Sequence, residues 1–483
     1  MVLAVAATIF RFAKPLCLQF MEEADFTTRR TVWFVVTIAA FLSPVFWIYA
    51  LILAAVSLWA GRRDSNPAAL FLLLLYAAPA FNAHIPKIFD LSPHRLLAIT
   101  VLIPALLRSD PAPPTTGPGR APVLAFLLFC FCTMQAIPFL SFQSLTSVAR
   151  KEITLLLDIM LPFLAFSRTI RNYRAIPDAM ATFALACALL APLAVFESLR
   201  GWQFYAAVAD NWGVGVNPFS YLMRNLQLRA RVTSEHALTL SMMLAIGFGF
   251  CLYLTHACKS RWTIAATYAV LWAGLFATYT RSGWIAAVLL MLAYLWLQPR
   301  GTGRVLKAAS LMLVVLTVAT FTPFGQRIID SLPFIGTIDT GNVDYRKQLF
   351  QEALRLIPQH PWFGDLTVQR KMAGMIQGQG IVDLINGYLL VALLFGLVPL
   401  ATVVLFMLTV TGKTLMASIR VRSADVLTAQ VGSNLVACML AMFFFTWVAG
   451  FPREMWMIAG IGIAYVRLAG TGFEVGRVNR APR

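Results

Sequence analysis

The sequence predicts an all-α polytopic membrane protein, and three observations carry that prediction. Of the 483 residues, 59% are hydrophobic and only 12% are charged, where soluble domains carry about a quarter charged residues. Apolar runs of about 15 to 25 residues recur almost from end to end, each long enough or nearly so to cross the hydrocarbon. These runs do not alternate apolar with polar residues, which excludes a transmembrane β-barrel.

The elements follow in order. The N-terminus lacks a cleavable signal with a small-residue cleavage site, and residues 4–20 fit a segment lying along the membrane surface. The stretch 31–60 is too long for one upright helix and contains Pro44, so it fits a hairpin of two short helices or one tilted, kinked helix. Further apolar spans lie at roughly 67–82, 95–107, 122–138, 153–167, 177–198, 236–255, 262–280, 282–298, 305–322, 387–411, 431–449 and 452–468. The whole chain, 1–483, reads as a single integral membrane domain of 12 to 14 spans. Seven cysteines are scattered along or beside these runs with no CxxC or His-flanked spacing, so they read as small core residues rather than metal ligands or disulfide partners.

The net charge of +18 raises the question of nucleic acid. The basic residues, however, sit in inter-helix loops rather than on one face, and in membrane proteins that pattern reports topology. Loops holding Arg62/Arg63, Arg108/Arg120, Arg168/Arg171/Arg174, Lys259/Arg261, Arg300/Arg304/Lys307 and Lys413/Arg420/Arg422 fall on one side, with the tail holding Arg467, Arg477 and Arg480. By the positive-inside rule that side is cytoplasmic.

Two long segments then face outward: a loop at 199–235 and a larger one at 323–386. Tyr345 to Ile357 alternates Leu349, Phe350, Ala353, Leu354, Leu356 and Ile357 with polar residues, which predicts an amphipathic helix at 345–357 lying on the membrane surface. Pro358 and Pro361 stop it, and Trp362 and Phe363 suit interfacial depth. Arg346 opens that helix and can point towards the membrane; the helix would equally serve as an interfacial brace.

Arginine on the outer side needs its own explanation. Asp330, Asp344, Glu352 and Asp365 can balance several of the loop cations. Arg281, in ATYTRSGWIA, has apolar helix on both sides and no acidic neighbour in sequence. Its alternatives are snorkelling to the headgroups or binding an anion, for which the planar, permanently charged guanidinium is suited. The segment LRARVTSEHAL places Arg229, Arg231, Glu235 and His236 at the mouth of the next span. Capping by Thr233 or Ser234, with Glu235 favourable to the helix dipole, accounts for the acidic and hydroxyl residues. It leaves the two arginines unexplained.

At these residues the chain resembles the O-antigen ligase and polymerase family, the Wzy-like and WaaL-like membrane glycosyltransferases. The resemblance runs over about 220–400 and rests on three motifs in order. Arg229-Ala230 is followed by His236; Thr280-Arg281-Ser282-Gly283 turns between helices; and Arg346 precedes His360-Pro361-Trp362-Phe363-Gly364, Asp383, Asn386, Tyr388-Leu389 and Gly396-Leu397. Ligases of the family carry a His directly before the Asn, where this chain has Ile385. That departure favours the polymerase branch.

The resemblance implies a GT-C-like membrane fold in a bacterial inner membrane, with a periplasmic active site that polymerises undecaprenyl diphosphate-linked oligosaccharide units without metal or other cofactor. It implies that Arg229, Arg231, Arg281 and Arg346 bind the donor diphosphate, and that a base comes from His236, Glu235 or Asp383. Asn386 and Tyr388 would bind glycan or position the loop. Expected partners are the lipid-linked oligosaccharide, membrane lipids and chain-length regulator or export proteins, with no nucleic acid. Two alternatives remain: a ligase acting on an acceptor such as lipid A core, and a transporter or flippase of the same lipid-linked glycan. A transporter should place ionisable groups near the bilayer midplane; here they cluster at helix ends, with Asp158 and Glu197 the nearest exceptions.

Overall fold

The computed structural model describes residues 1–84, 90–108, 121–213, 222–224, 227–322, 340–375, 382, 384 and 386–470. It is an α-helical membrane bundle in which every predicted span contains a helix. Five helices are long and apolar enough to cross a membrane on length and composition alone, among the described residues. The only described strands are two antiparallel pairs of two residues each, Ala83–His84 with Asp90–Leu91 and Met223–Arg224 with Gln227–Leu228.

The first helix, α1 (Val2–Cys17), buries Ala6, Phe10 and Cys17 and packs on the bundle, leaving Phe12 outside. The stretch around Pro44 resolves into a hairpin, α2 (Glu23–Leu42) and α3 (Phe46–Arg63). Pro44 and the extended residues Ser43 and Val45 break the helix, since the residue before a proline disfavours the α conformation. Next come α4 (Pro67–Ala77), α5 (93–108), α6 (Ala121–Ala136) and α7 (145–169). Both α5 and α7 contain a π turn, at Ala98–Leu102 and Leu156–Met160.

The core of the bundle is α8 (Ala175–Arg200) and α10 (Ala237–Leu254), the latter following the short α9 (Ala206–Asn211). Their apolar windows are 78% and 83% buried, against 28% in the α6 region, so α6 is peripheral and α8 and α10 are central. Around them pack α11 (Arg261–Ala277), α12 (Arg281–Trp296) and α13 (Gly301–Thr320), the last largely exposed. The amphipathic helix is longer at its start than the sequence pattern indicates: α14 is Thr340–Leu356. Its buried residues Leu349, Ala353 and Leu356 form a small separate core with Val368, Met372 and Leu393. A 3₁₀ turn, Ile357–Gln359, ends it at Pro358.

One predicted span is corrected. Residues 387–411 are not continuous: α15 (Gly387–Leu394) ends at an elbow, and α16 (Leu397–Val421) starts afresh. Gly396 has φ 95° at the elbow, and a Cβ there would lie 2.2 Å from the Trp362 carbonyl oxygen. The bundle closes with α17 (Val426–Val448) and α18 (Glu454–Gly470).

Hydrogen bonds between turns define two ends of the bundle. At one, the 63–66 turn meets the start of α8, where Asn66 Nδ2 donates to the Ala175 carbonyl at 2.9 Å, Arg467 donates to the Ile170 carbonyl and Arg422 to the Leu297 carbonyl. This is the end that gathers the basic loops. The other end gathers the long loops: Ala80 N–H donates to the Thr233 carbonyl at 2.9 Å, and Trp212 Nε1–H to the Ser43 carbonyl at 3.0 Å.

Candidate active site

The loop end brings residues from six segments to one corner. The chain from Arg229 to His236 is fastened along its length. Arg229 N–H donates to the Leu222 carbonyl and Ala230 N–H to the Ala277 carbonyl, at 3.0 and 3.1 Å. Beneath it Glu197, fully buried near the end of α8, accepts from the backbone N–H groups of Phe204, Arg231 and Val232 at 3.1, 3.1 and 2.9 Å. One carboxylate therefore ties the turn after α8 to the arginine segment. The sequence placed Glu197 among possible midplane charges; the structure makes it a backbone organiser at a helix end.

The corner is conformationally strained. Val232 has φ 51° and Tyr279 φ 46°, and a positive φ is unfavourable for β-branched or bulky residues. Such outliers gather where surrounding structure holds a functional geometry. The two strained turns are fastened to each other, since Arg229 Nη2 donates to Thr280 Oγ1 at 3.0 Å and Arg229 Nε to the Thr278 carbonyl at 3.4 Å.

Arg281 is the first residue of α12, directly after Thr280. Gly283 allows that turn to press against α10: a Cβ at 283 would sit 2.5 Å from Ser241 Cβ. The small residue after Arg281 thus serves close helix approach, and it sets the arginine beside the segment carrying Arg229 and Arg231. Arg231 is buried, with Nη1 donating to the Glu235 carbonyl at 3.4 Å and its guanidinium 5.7 Å from the Phe81 ring centroid.

The predicted cap of α10 is corrected. His236 is the N-cap residue and makes no side-chain capping bond. Thr233 Oγ1 instead donates to the Tyr76 carbonyl at 2.8 Å, which docks the segment onto α4. Glu235 pairs with Arg453, Nη2 to Oε2 at 2.6 Å. The next residue, Glu454, is 1% exposed and accepts from Tyr76 O–H at 2.6 Å.

Asn386 and Tyr388 reach the same corner from α15. Asn386 is its N-cap, with Oδ1 accepting from the N–H groups of Tyr388 and Leu389 at 3.0 and 3.2 Å, the usual way asparagine satisfies the first amides of a helix. Tyr388 O–H donates to the Phe443 carbonyl at 3.2 Å, and its ring meets Phe451 edge-on, 5.7 Å between centroids. Phe451 lies two residues before Arg453. The Asn386–Tyr388 motif is therefore joined to the Arg453–Glu235 pair by aromatic packing.

The HPWFG segment has a structural reason for its glycine. Gly364 has φ 65°, and a Cβ would lie 2.4 Å from the Leu394 carbonyl carbon. Asp365 N–H donates to the Leu393 carbonyl at 2.8 Å, and Leu397 N–H to the Pro361 carbonyl at 2.7 Å. Gly364 and Gly396 thus form a backbone-to-backbone clamp between the end of the large loop and the α15–α16 elbow. Just beyond it, burial alone would raise the Asp365 carboxyl, but hydrogen bonds from Lys371 and Thr367 outweigh burial and hold it at about 2.

Of the predicted site residues, the structure gathers Arg229, Arg231, Glu235, His236 and Arg281, and links Asn386 and Tyr388 to them. Arg346 is an exposed residue of α14, the helix whose Phe350 ring lies 6.2 Å from that of Trp447. Asp383 and the Ile385 position lie outside the described residues. Sequence reasoning missed Arg453, Glu454, Tyr76, His94 and Arg95. A usable signal existed for Arg453: like Arg281, it is a cation in a short turn between two spans at the end where the topology rule does not call for one.

Fold and site together define a polytopic α-helical membrane protein with a guanidinium-rich corner at one end of its bundle. Residues 266–364 match the family model described as O-Antigen ligase, which supports assignment to the O-antigen ligase/polymerase family. The matched stretch holds Arg281, Arg346 and the HPWFG segment; Arg229, Arg231, His236, Asn386 and Tyr388 lie beyond it. No curated protein matches the chain.

Proposed function

We propose that the protein polymerises undecaprenyl diphosphate-linked oligosaccharide repeat units at the periplasmic face of a bacterial inner membrane, by metal-independent glycosyl transfer. The observation that carries this reading is the fastening of the Arg229–Arg231 segment to the turn that presents Arg281. An acceptor hydroxyl attacks the anomeric carbon of the donor sugar. The glycosidic C–O bond breaks with its electron pair passing to the diphosphate, which leaves as an anion. Guanidinium groups fixed in advance stabilise that developing charge without reorganisation during the reaction, and their planar forks suit phosphate oxygens. Membrane lipid surrounds the polyprenyl tail, and chain-length regulator or export proteins are the expected partners.

Ligation to an acceptor such as lipid A core is the second reading, favoured by the description of the matching family model. Ile385, where family ligases resemble one another in carrying His, weighs towards polymerisation. Purified protein incubated with a synthetic undecaprenyl diphosphate-linked repeat unit is expected to yield longer glycan and released diphosphate lipid, and Arg281→Ala is expected to abolish both while the fold persists. Transfer only to a lipid A-like acceptor would establish the ligase. No transfer to either acceptor, together with flipping of the same lipid in liposomes, would replace the enzyme reading with transport.

A further inference from the structure

A second polar constellation lies at the loop end, outside every motif picked from the sequence. His94 and Arg95 occupy the first turn of α5, after Pro93. Asp158 comes from α7, and the three converge. Arg95 grips the Asp158 carboxylate with two donors, Nε to Oδ1 at 3.0 Å and Nη2 to Oδ2 at 2.8 Å. His94 Nε2 meets Asp158 Oδ1 at 2.9 Å and Ser92 Oγ at 3.4 Å. The sequence placed Asp158 among possible midplane charges; its partners place it beside the start of α5.

The arrangement has the marks of a positioned imidazole. A carboxylate accepting from Nε2–H fixes the ring orientation and the tautomer, which leaves Nδ1 as the unprotonated nitrogen. The hydrogen bonds described for His94 all use Nε2. The His94 side chain is 12% exposed, so the ring is not fully sealed in the bundle. Asp158 lies within the π turn Leu156–Met160, and the helix carrying His94 has its own π turn at Ala98–Leu102. Such turns interrupt helix register and recur at functional sites.

This group is linked to the guanidinium-rich corner through α4: α5 packs against α4, whose Tyr76 binds Glu454 beside Arg453. Arg453, which pairs with Glu235, also lies close enough for its charge to act on His94, Tyr76 and Glu454. Among the described residues, the charged groups acting on His94 are Asp158 from α7, Arg95 from its own helix and Arg453 from the turn before α18. Of the bases expected from sequence, Glu235 is engaged by Arg453.

We propose that His94, oriented by Asp158, is the general base that takes the proton from the acceptor hydroxyl. The inference rests on the glycosyl-transfer reading. As the acceptor oxygen bonds to the anomeric carbon, its proton passes to His94 Nδ1, and the electron pair of the broken C–O bond leaves on the diphosphate. Asp158 stabilises the resulting imidazolium, while Arg95 holds the carboxylate still.

The test uses the full-length protein in lipid nanodiscs with a synthetic undecaprenyl diphosphate-linked oligosaccharide, following glycan extension and released diphosphate lipid from acid to alkaline pH. Wild type is expected to lose activity on the acid side as His94 becomes protonated. His94→Gln should lower kcat about 100-fold or more, with KM little changed and the acid limb abolished. His94→Ala should regain turnover with added imidazole, which a purely structural role would not produce. Wild-type rate and acid limb in His94→Gln overturn the proposal. So does a His94→Ala protein that melts early and gains nothing from imidazole, since His94 is then structural. A wild type that transfers no glycan from this donor overturns the transfer reading itself, a failure separate from any result on the variants.

Discussion

The two ends of the bundle handle arginine differently. At the basic end Arg29, buried at 1% exposure, gives Nε and Nη2 to Asp64 at 2.7 Å each. It also binds Asp178 through Nη1 and Nη2, and donates to Thr182 Oγ1 at 2.8 Å. Asn66 closes the network, with Nδ2 donating to Asp178 at 2.9 Å and its backbone N–H to Asp64 at 2.9 Å. A neighbouring cavity of about 910 Å³, lined in part by Asn172, Tyr173, His256 and Asp425, includes Asp178 on its wall. Carboxylates there are engaged internally: Asp25 accepts from Ser65, and Asp425 caps α17. This end is a lock.

At the loop end, the hydrogen bonds described for Arg229 and Arg231 run to carbonyl and hydroxyl oxygens. Charge pairs occur at this end too, Glu235 with Arg453 and Asp158 with Arg95, but both are partly exposed where the Arg29 pairs are sealed. The supporting backbone is strained at Val232 and Tyr279, and Glu197 holds it from below. The contrast predicts a division of labour: stability concentrated where charge pairs are sealed, and the proposed chemistry where they stay partly open.

Breaking the lock should give the largest effect. Arg29→Met leaves Asp64 and Asp178 buried without their cation, a loss of about 3–5 kcal/mol, read as a collapse of the melting temperature in detergent. The corresponding lesion at the loop end should act locally. Gly396→Ala imposes an unfavourable φ and a clash with the Trp362 carbonyl, about 1–3 kcal/mol from strain alone. Trypsin should then cut faster at Arg370 and Lys371 while the bundle melts almost as before; unchanged cleavage would show that the clamp is dispensable.

Glu197→Gln should be of similar size, since the amide keeps the shape and one acceptor but presents donors to backbone N–H groups. About 1–3 kcal/mol is expected, with transfer activity falling more than the melting temperature. Equal falls in both would erase the division of labour. The smallest effect concerns pH. Asp365 is held at about 2 when folded, below the unfolded value of roughly 3.9. Its stabilisation is therefore complete above the unfolded value and disappears as pH falls through the folded one. Asp365→Asn should expose the 360–371 turn to protease at neutral pH, and the difference from wild type should close in strong acid.

The motifs that suggested the site were legible for different reasons. Arg281 stood out because an arginine between two apolar helices violates composition locally. Asn386 and Gly364 stood out only through family resemblance, and their geometry supplies what the motif means: a cap for α15 and a backbone clamp. The lock at Arg29 gave no signal, because Asp64 and Asp178 are 35 and 149 positions away. His94 and Asp158, 64 positions apart, were equally silent as a pair.

By itself the sequence determined the membrane class and most of the helix spans. Hydropathy and charge act over a few residues at a time, and a bilayer reads them locally. Only the tertiary structure decided which cation meets which carboxylate, where 387–411 bends, and which turns carry strain. Those outcomes depend on contacts between segments far apart in the chain, and nothing in a local window records them.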